Sequence, residues 1–341
     1  MSKRLLLAAA LVAARGFPQN AFAQDFEIVP VRGNIYMLAG AGANITLSVG
    51  KDGVFMVDTG AAPNADRVVA AIQRLSQELA RVGKPILAES HGGSGTVLAA
   101  IQPPKPIRFI ANTNSMPDHT GGNPRLAEAG RTFTGGNVSG EIANAGEGAA
   151  VLSHENTLQH LTDAKLPSKG LPTETYFGSV MKLSHFFNGE GIELVHAPNA
   201  NGDGDSFVWF RGSDVISAGD LFDFTSYPRI DLAQGGSVQG VLAGLNRMVE
   251  LAVPEFRSEG GTMIIPGHGR VGDLADLAYY RDMVTIIRDR IQDMIKRDMT
   301  LAQIKAAKPT EDWDPRYGSA TGSWTTDMFV EAIYRSLTQK K

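Results

Sequence analysis

A chain of 341 residues with 43% hydrophobic content has material for one large core and a small appendage, and it falls in the soluble globular class. Its formal charge of -4 excludes the basic footprint of a nucleic-acid binder or of a protein drawn to anionic membranes. The absence of cysteine excludes disulfides, thiolate zinc sites and cysteine nucleophiles.

The N-terminus starts with Lys3-Arg4, runs through the apolar Leu5 to Ala14 and reaches Ala21-Phe22-Ala23 before Gln24. This order predicts a secretory signal peptide over residues 1–23 and an exported, periplasmic or secreted, mature protein. A disordered or membrane-resting leader is the bland alternative, because Arg15 interrupts the apolar part. No later stretch is long and apolar enough to span a bilayer.

Short apolar runs at Ile35–Leu38, Ile45–Val49 and Val54–Val57 predict strands, the last two joined by a hairpin turn at Gly50-Lys51-Asp52-Gly53. Asp58-Thr59-Gly60 closes the third. Val68, Ile72, Leu75, Leu79 and Val82 recur at helical spacing and predict an amphipathic helix over Asp66 to Val82. The glycine-rich Glu89 to Gly95 has no lysine after its glycines and no Gly-x-Ser-x-Gly frame, so it reads as a flexible connection, with His91 facing the cleft as the alternative.

Ile107 to Ala111 predicts a buried strand, followed by a tight loop and a helix beginning near Pro124. The loop reads Asn112-Thr113-Asn114-Ser115-Met116-Pro117-Asp118-His119-Thr120-Gly121-Gly122-Asn123. A carboxylate and an imidazole side by side, Asp118 and His119, turn towards one point beyond the strand end, where open α/β sheets place ligands.

Thr134 to Gly148 reads as a long surface insertion, and Val151 to Asn156 as a strand opening into a helix. His154, His160 and His185 read as structural or surface residues rather than ligands. Ile192 to His196 and Ser206 to Phe210 predict two strands around the loop 197–205, in which Asp203 and Asp205 read as turn residues. Asp220 follows Gly219 at a strand end, and His268 sits between glycines at the end of an apolar run from Ile264. Helices are predicted over Tyr279 to Met299, Leu301 to Ala307 and Trp324 to Leu337.

The loop at 112–123 resembles the signature of the metallo-β-lactamase superfamily, His-x-His-x-Asp-His followed by Gly-Gly. Asp118, His119 and the Gly121-Gly122-Asn123 tail match, while Asn114 and Met116 stand where the family has its leading histidines. Gly219-Asp220 resembles the segment of the family's bridging carboxylate, and His268 its last ligand. Asn201 takes the place of a third histidine. The resemblance runs from about residue 26 to 337. It implies an α/β fold, the four-layer αββα sandwich, over residues 24–275, with a C-terminal helical segment, 276–341, packed on it. It also implies that Asp58 supports the metal loop, against the equal alternative of a turn-capping aspartate. His196 reads as a supporting or structural residue rather than a replacement ligand.

Losing all three histidines of one position implies that this metal position was discarded as a unit. Asp118, His119, Asp220 and His268 remain, enough donors for one divalent ion, Zn²⁺ in the first place and Fe²⁺ or Mn²⁺ otherwise. The expected function is hydrolysis of an ester, lactone or β-lactam bond in a small molecule by a metal-activated water, with Asp118 or Asp220 orienting that water. The alternative is a non-catalytic periplasmic binding protein that keeps the fold.

Overall fold

The computed structural model describes residues 26–82, 106–132, 148–183, 186–253 and 260–338. The leader, the glycine-rich stretch with His91, the insertion up to residue 147 and His185 lie outside these described residues.

Seven strands form the first sheet in chain order: β1 (Glu27–Arg32), β2 (Ile35–Ala39), β3 (Ile45–Gly50), β4 (Gly53–Val57), β5 (Ile107–Ala111), β6 (Ala150–His154) and β7 (Glu174–Tyr176). The first four pair antiparallel, with Gly50 opposite Gly53 at the predicted hairpin, and β4 to β7 run parallel. The second sheet has the order β12 (Met263–His268), β11 (Val215–Asp223), β10 (Ser206–Phe210), β9 (Ile192–His196) and β8 (Val180–Lys182).

Nine helices are described: α1 (Ala65–Val82), α2 (Pro117–Thr120), α3 (Asn123–Ala129), α4 (Glu155–Asp163), α5 (Val238–Leu251), α6 (Leu274–Lys296), α7 (Leu301–Ala306), α8 (Asp314–Tyr317) and α9 (Thr326–Thr338). The predicted elements recur with shifted ends. The long C-terminal helix starts at Leu274 rather than Tyr279, and the single helix expected near Pro124 is preceded by the four-residue α2, which carries Asp118 and His119. Strand β1 and helix α5 were not among the predicted elements.

Side-chain alternation along the strands makes the layers. In β4, Phe55 and Val57 point to the second sheet and join Val208, Phe210 and Ile265 in one buried cluster, while Val54 and Met56 point the other way and pack with Val68, Ile72 and Leu75 of α1. Phe207 and Ile216 of the second sheet face outward, onto Val241 and Leu245 of α5, Val284 and Ile287 of α6 and Phe329 of α9. Three apolar clusters separating helix, sheet, sheet and helix are the αββα sandwich. No described helix is long and apolar enough to cross a membrane.

Candidate metal centre

The four predicted donors meet where parallel strands of both sheets end. Asp58 follows directly on β4, β5 runs into the loop with Asn114 and α2, and β11 and β12 carry Asp220 and His268. The β11–β12 ladder is irregular: Gly219 lies opposite Pro266 but Asp223 opposite His268, so β11 has extra residues there. Such a bulge re-aims side chains. A Cβ on Gly267 would collide with the Asp220 carboxylate, so the residue before His268 has to be glycine for Asp220 to sit there.

Ligand atoms of Asp118, His119 and His268 lie within 4.8 Å of one another. His268 Nε2 is 3.4 Å from Asp118 Oδ2 and 3.5 Å from Asp220 Oδ1, and His119 Nε2 is 2.9 Å from the same Asp220 oxygen. A tetrahedral ion with bonds of about 2.1 Å sets its ligand atoms about 3.4 Å apart. The two His268 separations already match that spacing, and the His119–Asp220 pair has to open by a few tenths of an ångström. The group that converges is therefore Asp118, His119 and His268, an Asp/His/His set able to hold one ion, with Asp220 lying against both histidines but outside that group.

His119 is fully buried between two carboxylates, with Nδ1 2.8 Å from Asp58 Oδ2 and Nε2 against Asp220. Burial pushes its pKa down, but Asp220 and Asp58 together outweigh this and hold it well above the ordinary histidine value. Burial likewise pushes Asp220 up, and His119 reverses the direction. The hydrogen bond from His268 is the largest influence on Asp118, whose carboxyl is held at about 2. In the metal-free centre the imidazolium supplies the positive charge these carboxylates require.

Asp58 is buried and accepts the backbone N–H of Thr113 at 2.9 Å and its hydroxyl at 2.7 Å. By taking the Nδ1–H of His119 as well, it leaves Nε2 as the atom that faces the centre. This is the supporting position the family resemblance implied. Asn44, which the sequence reading passed over, ties the first sheet to the last donor: its backbone N–H reaches Gly267 O at 2.7 Å, and its amide reaches Pro266 O at 3.0 Å and Gly269 O at 2.9 Å. Its only signal was an asparagine ahead of a strand.

The three substituted positions do not rebuild a second transition-ion site. Asn114 uses its carbonyl to accept the N–H of Met116 at 2.8 Å and turns its amide N–H towards Asp220 Oδ2 at 3.5 Å, so it presents a donor where the ion would need a lone pair. Asn201 is buried, and neither amide atom has a partner among the described residues. Met116 lines the adjoining cleft. The other described histidines hold loops: His154 caps α4 through Asn156 N–H and stacks on His196 at 3.7 Å, His196 Nε2 donates to Asp203 O at 2.8 Å, and His160 Nε2 lies 2.7 Å from Asp203 Oδ1.

Asp118, Asp220 and His268 open onto a cleft of about 220 Å³. Its outer walls, Thr225 to Arg229 and Ser323-Trp324, carry no motif, and the sequence reading missed them.

The profile of the Metallo-beta-lactamase superfamily matches residues 39–268. No curated protein matches the chain. Among solved structures, the DIM-1 metallo-beta-lactamase is 15% identical, with a TM-score of 0.51 over 76% of this chain and 97% of its own. A metallo-beta-lactamase from Pontibacter korlensis is 14% identical, with a TM-score of 0.51 over 76% and 99%. The stereoselective inverting sec-alkylsulfatase Pisa1 from Pseudomonas sp. is 14% identical, with a TM-score of 0.60 over 92% of this chain but only 50% of its own. At such identities the likeness is one of fold.

Proposed function

Because the chain belongs to the metallo-beta-lactamase superfamily, we propose that it is a metal-dependent hydrolase working with one divalent ion, Zn²⁺ first, held by Asp118, His119, Asp220 and His268. The observation that supports this reading is the convergence of Asp118, His119 and His268 beside an open cleft, with Asp220 against both histidines. It favours a working centre over a binding protein with a vestigial pocket. The solved structures of similar fold include proteins named as beta-lactamases and an alkylsulfatase, which adds support for hydrolysis as the reaction class.

An ion bound there acidifies a water and polarises the acyl oxygen of an ester, lactone or lactam. The protein's share is positional. Asp58 holds His119 in the tautomer that keeps Nε2 towards the centre. Asp118, with its side chain 38% exposed, lines the cleft, where it would accept a hydrogen bond from such a water and orient it. The hydrogen bond from His268 holds the Asp118 carboxyl at about 2, so it would meet that water as a carboxylate. Asp220 neutralises charge from below, and Asn114 binds its second oxygen. The leader over residues 1–23 would export the enzyme.

Elemental analysis of the purified mature protein tests the reading. About one equivalent of metal is expected, lost in Asp118→Ala or His268→Ala. Loading at pH 7 releases protons from the two histidines, both held above the ordinary histidine value, read as a buffer-dependent enthalpy in calorimetry. Two equivalents, or metal retained by both variants, would refute the single-ion centre.

A further inference from the structure

The walls of the cleft carry a recognition pattern that the hydrolase reading does not use. One wall is the segment after β11, which ends in Arg229. The other is the loop between α8 and α9, which brings in Trp324 from beyond residue 268, where the family match stops.

Arg229 is exposed and makes no ion pair or hydrogen bond with any described residue. Its neighbours differ: Arg270 is locked by both oxygens of Asp276, and Arg316 lies over the rings of Phe224 and Tyr317. Among the described residues Arg229 is the one lysine or arginine in the cleft wall. The acids around it are spoken for. Asp223 accepts from the backbone and hydroxyl groups of Thr225 and Ser226, and Asp118 and Asp220 face the centre. A divalent ion would cancel the charge of those last two. The guanidinium then remains the one cationic side chain of the wall without a partner among the described residues, while Asp223 is held by its neutral donors. Trp324 is partly buried against the C-terminal core and lines the same cleft as Arg229. A cleft of about 220 Å³ is small for a ligand site, and it suits one compact molecule rather than a polymer.

We propose that Arg229 and Trp324 select the substrate, and that it is a small organic anion: an oxyanion group pairs with Arg229, a flat apolar part lies on Trp324, and the scissile bond reaches the centre. This rests on the hydrolase reading for its catalytic part only. Planar two-point pairing with a carboxylate or sulfate is what a guanidinium does best.

The test uses the zinc-loaded mature protein and three probes of one shape: benzoate, benzamide and benzylamine, titrated by calorimetry and tryptophan fluorescence. Benzoate is expected to bind about tenfold or more tighter than the other two, the scale of one charged hydrogen-bonded pair. Arg229→Ala should remove that preference while leaving benzamide binding and metal content unchanged, and Arg229→Lys should restore part of it. Trp324→Ala should weaken benzoate and benzamide alike. In kinetics, Arg229→Ala should raise KM for 4-acetoxybenzoate and not for phenyl acetate, with kcat kept.

No benzoate binding, or equal benzoate binding in the wild type and Arg229→Ala, overturns the proposal, even if both esters are hydrolysed. Arg229-dependent binding of benzoate with neither ester turned over leaves the selection site standing and removes the hydrolase reading instead.

Discussion

Asp58 accepts three hydrogen bonds at a backbone φ of +62°, a left-handed conformation that aspartate tolerates better than most residues and that clusters at functional sites. Its distance from any ion makes it a positioning residue. Asp58→Asn should lower metal affinity by about 10- to 100-fold with the fold retained, as read by competition with a chelator at pH 7.5. Asp205 carries a different consequence. Burial, its largest influence, pushes this carboxyl up to about 7, against the opposing hydrogen bond from Gly202 N–H. A carboxyl whose folded value lies above its unfolded one binds its proton more tightly when folded. Stability from Asp205 therefore falls as pH rises from about 4 to about 7, and is level beyond. In metal-free protein the wild type should lose at most about 4 kcal/mol across that window relative to Asp205→Asn, measured as the difference of their denaturation midpoints at several pH values. If the two curves run parallel, Asp205 is ionised throughout.

Between the sheets, Phe55 meets Phe109, Phe187 and Phe210 at ring separations of 6.1, 6.3 and 5.9 Å. It is fully buried at the centre of the sandwich, so Phe55→Ala should cost about 3–5 kcal/mol in urea denaturation, with metal stoichiometry kept in the folded fraction. Of the elements absent from the predicted set, which also include β7, β8 and α8, β1 and α5 have physical reasons. β1 contains Pro30, which argues against a strand in sequence, yet β1 is the edge of its sheet, where a missing N–H is tolerated. α5 contains Gly240 and Gly244, which depress helix propensity. A Cβ at Gly240 would run into the backbone of Asn199, so that glycine is there to let the helix press on the loop that carries Asn201.

Across the molecule, the C-terminal helices complete the outer layer over the second sheet and also shape the cleft. Tyr227, which lines the cleft, stacks on Phe329 of α9 at 4.6 Å and donates its hydroxyl to Asp314 at 2.9 Å. Phe329→Ala should therefore act twice: a loss of about 3–5 kcal/mol in stability, and a raised KM for any substrate of the cleft because Tyr227 loses its support. A thermal melt and a substrate titration of the same preparation check both. Unchanged KM beside a lowered Tm would confine Phe329 to the core.

Periodicity and end signals in the chain were sufficient for most elements and for the chemical type of the donors: the apolar runs at Ile45–Val49 and Val54–Val57, the helical spacing from Val68 to Val82, and Asp118-His119 ahead of paired glycines are all local patterns. Those patterns depend on neighbours within a turn or two, and backbone geometry enforces them wherever the segment ends up. Other properties depend on residues far apart in sequence. The 3.4 Å approach of His268 to Asp118, the tautomer that Asp58 imposes on His119, the turning of Asn114 into a donor towards Asp220, and the lining of one cleft by Arg229 and Trp324 are set by how the two sheets and the last helices pack. No local pattern encodes such a separation, because it is fixed only when the layers close.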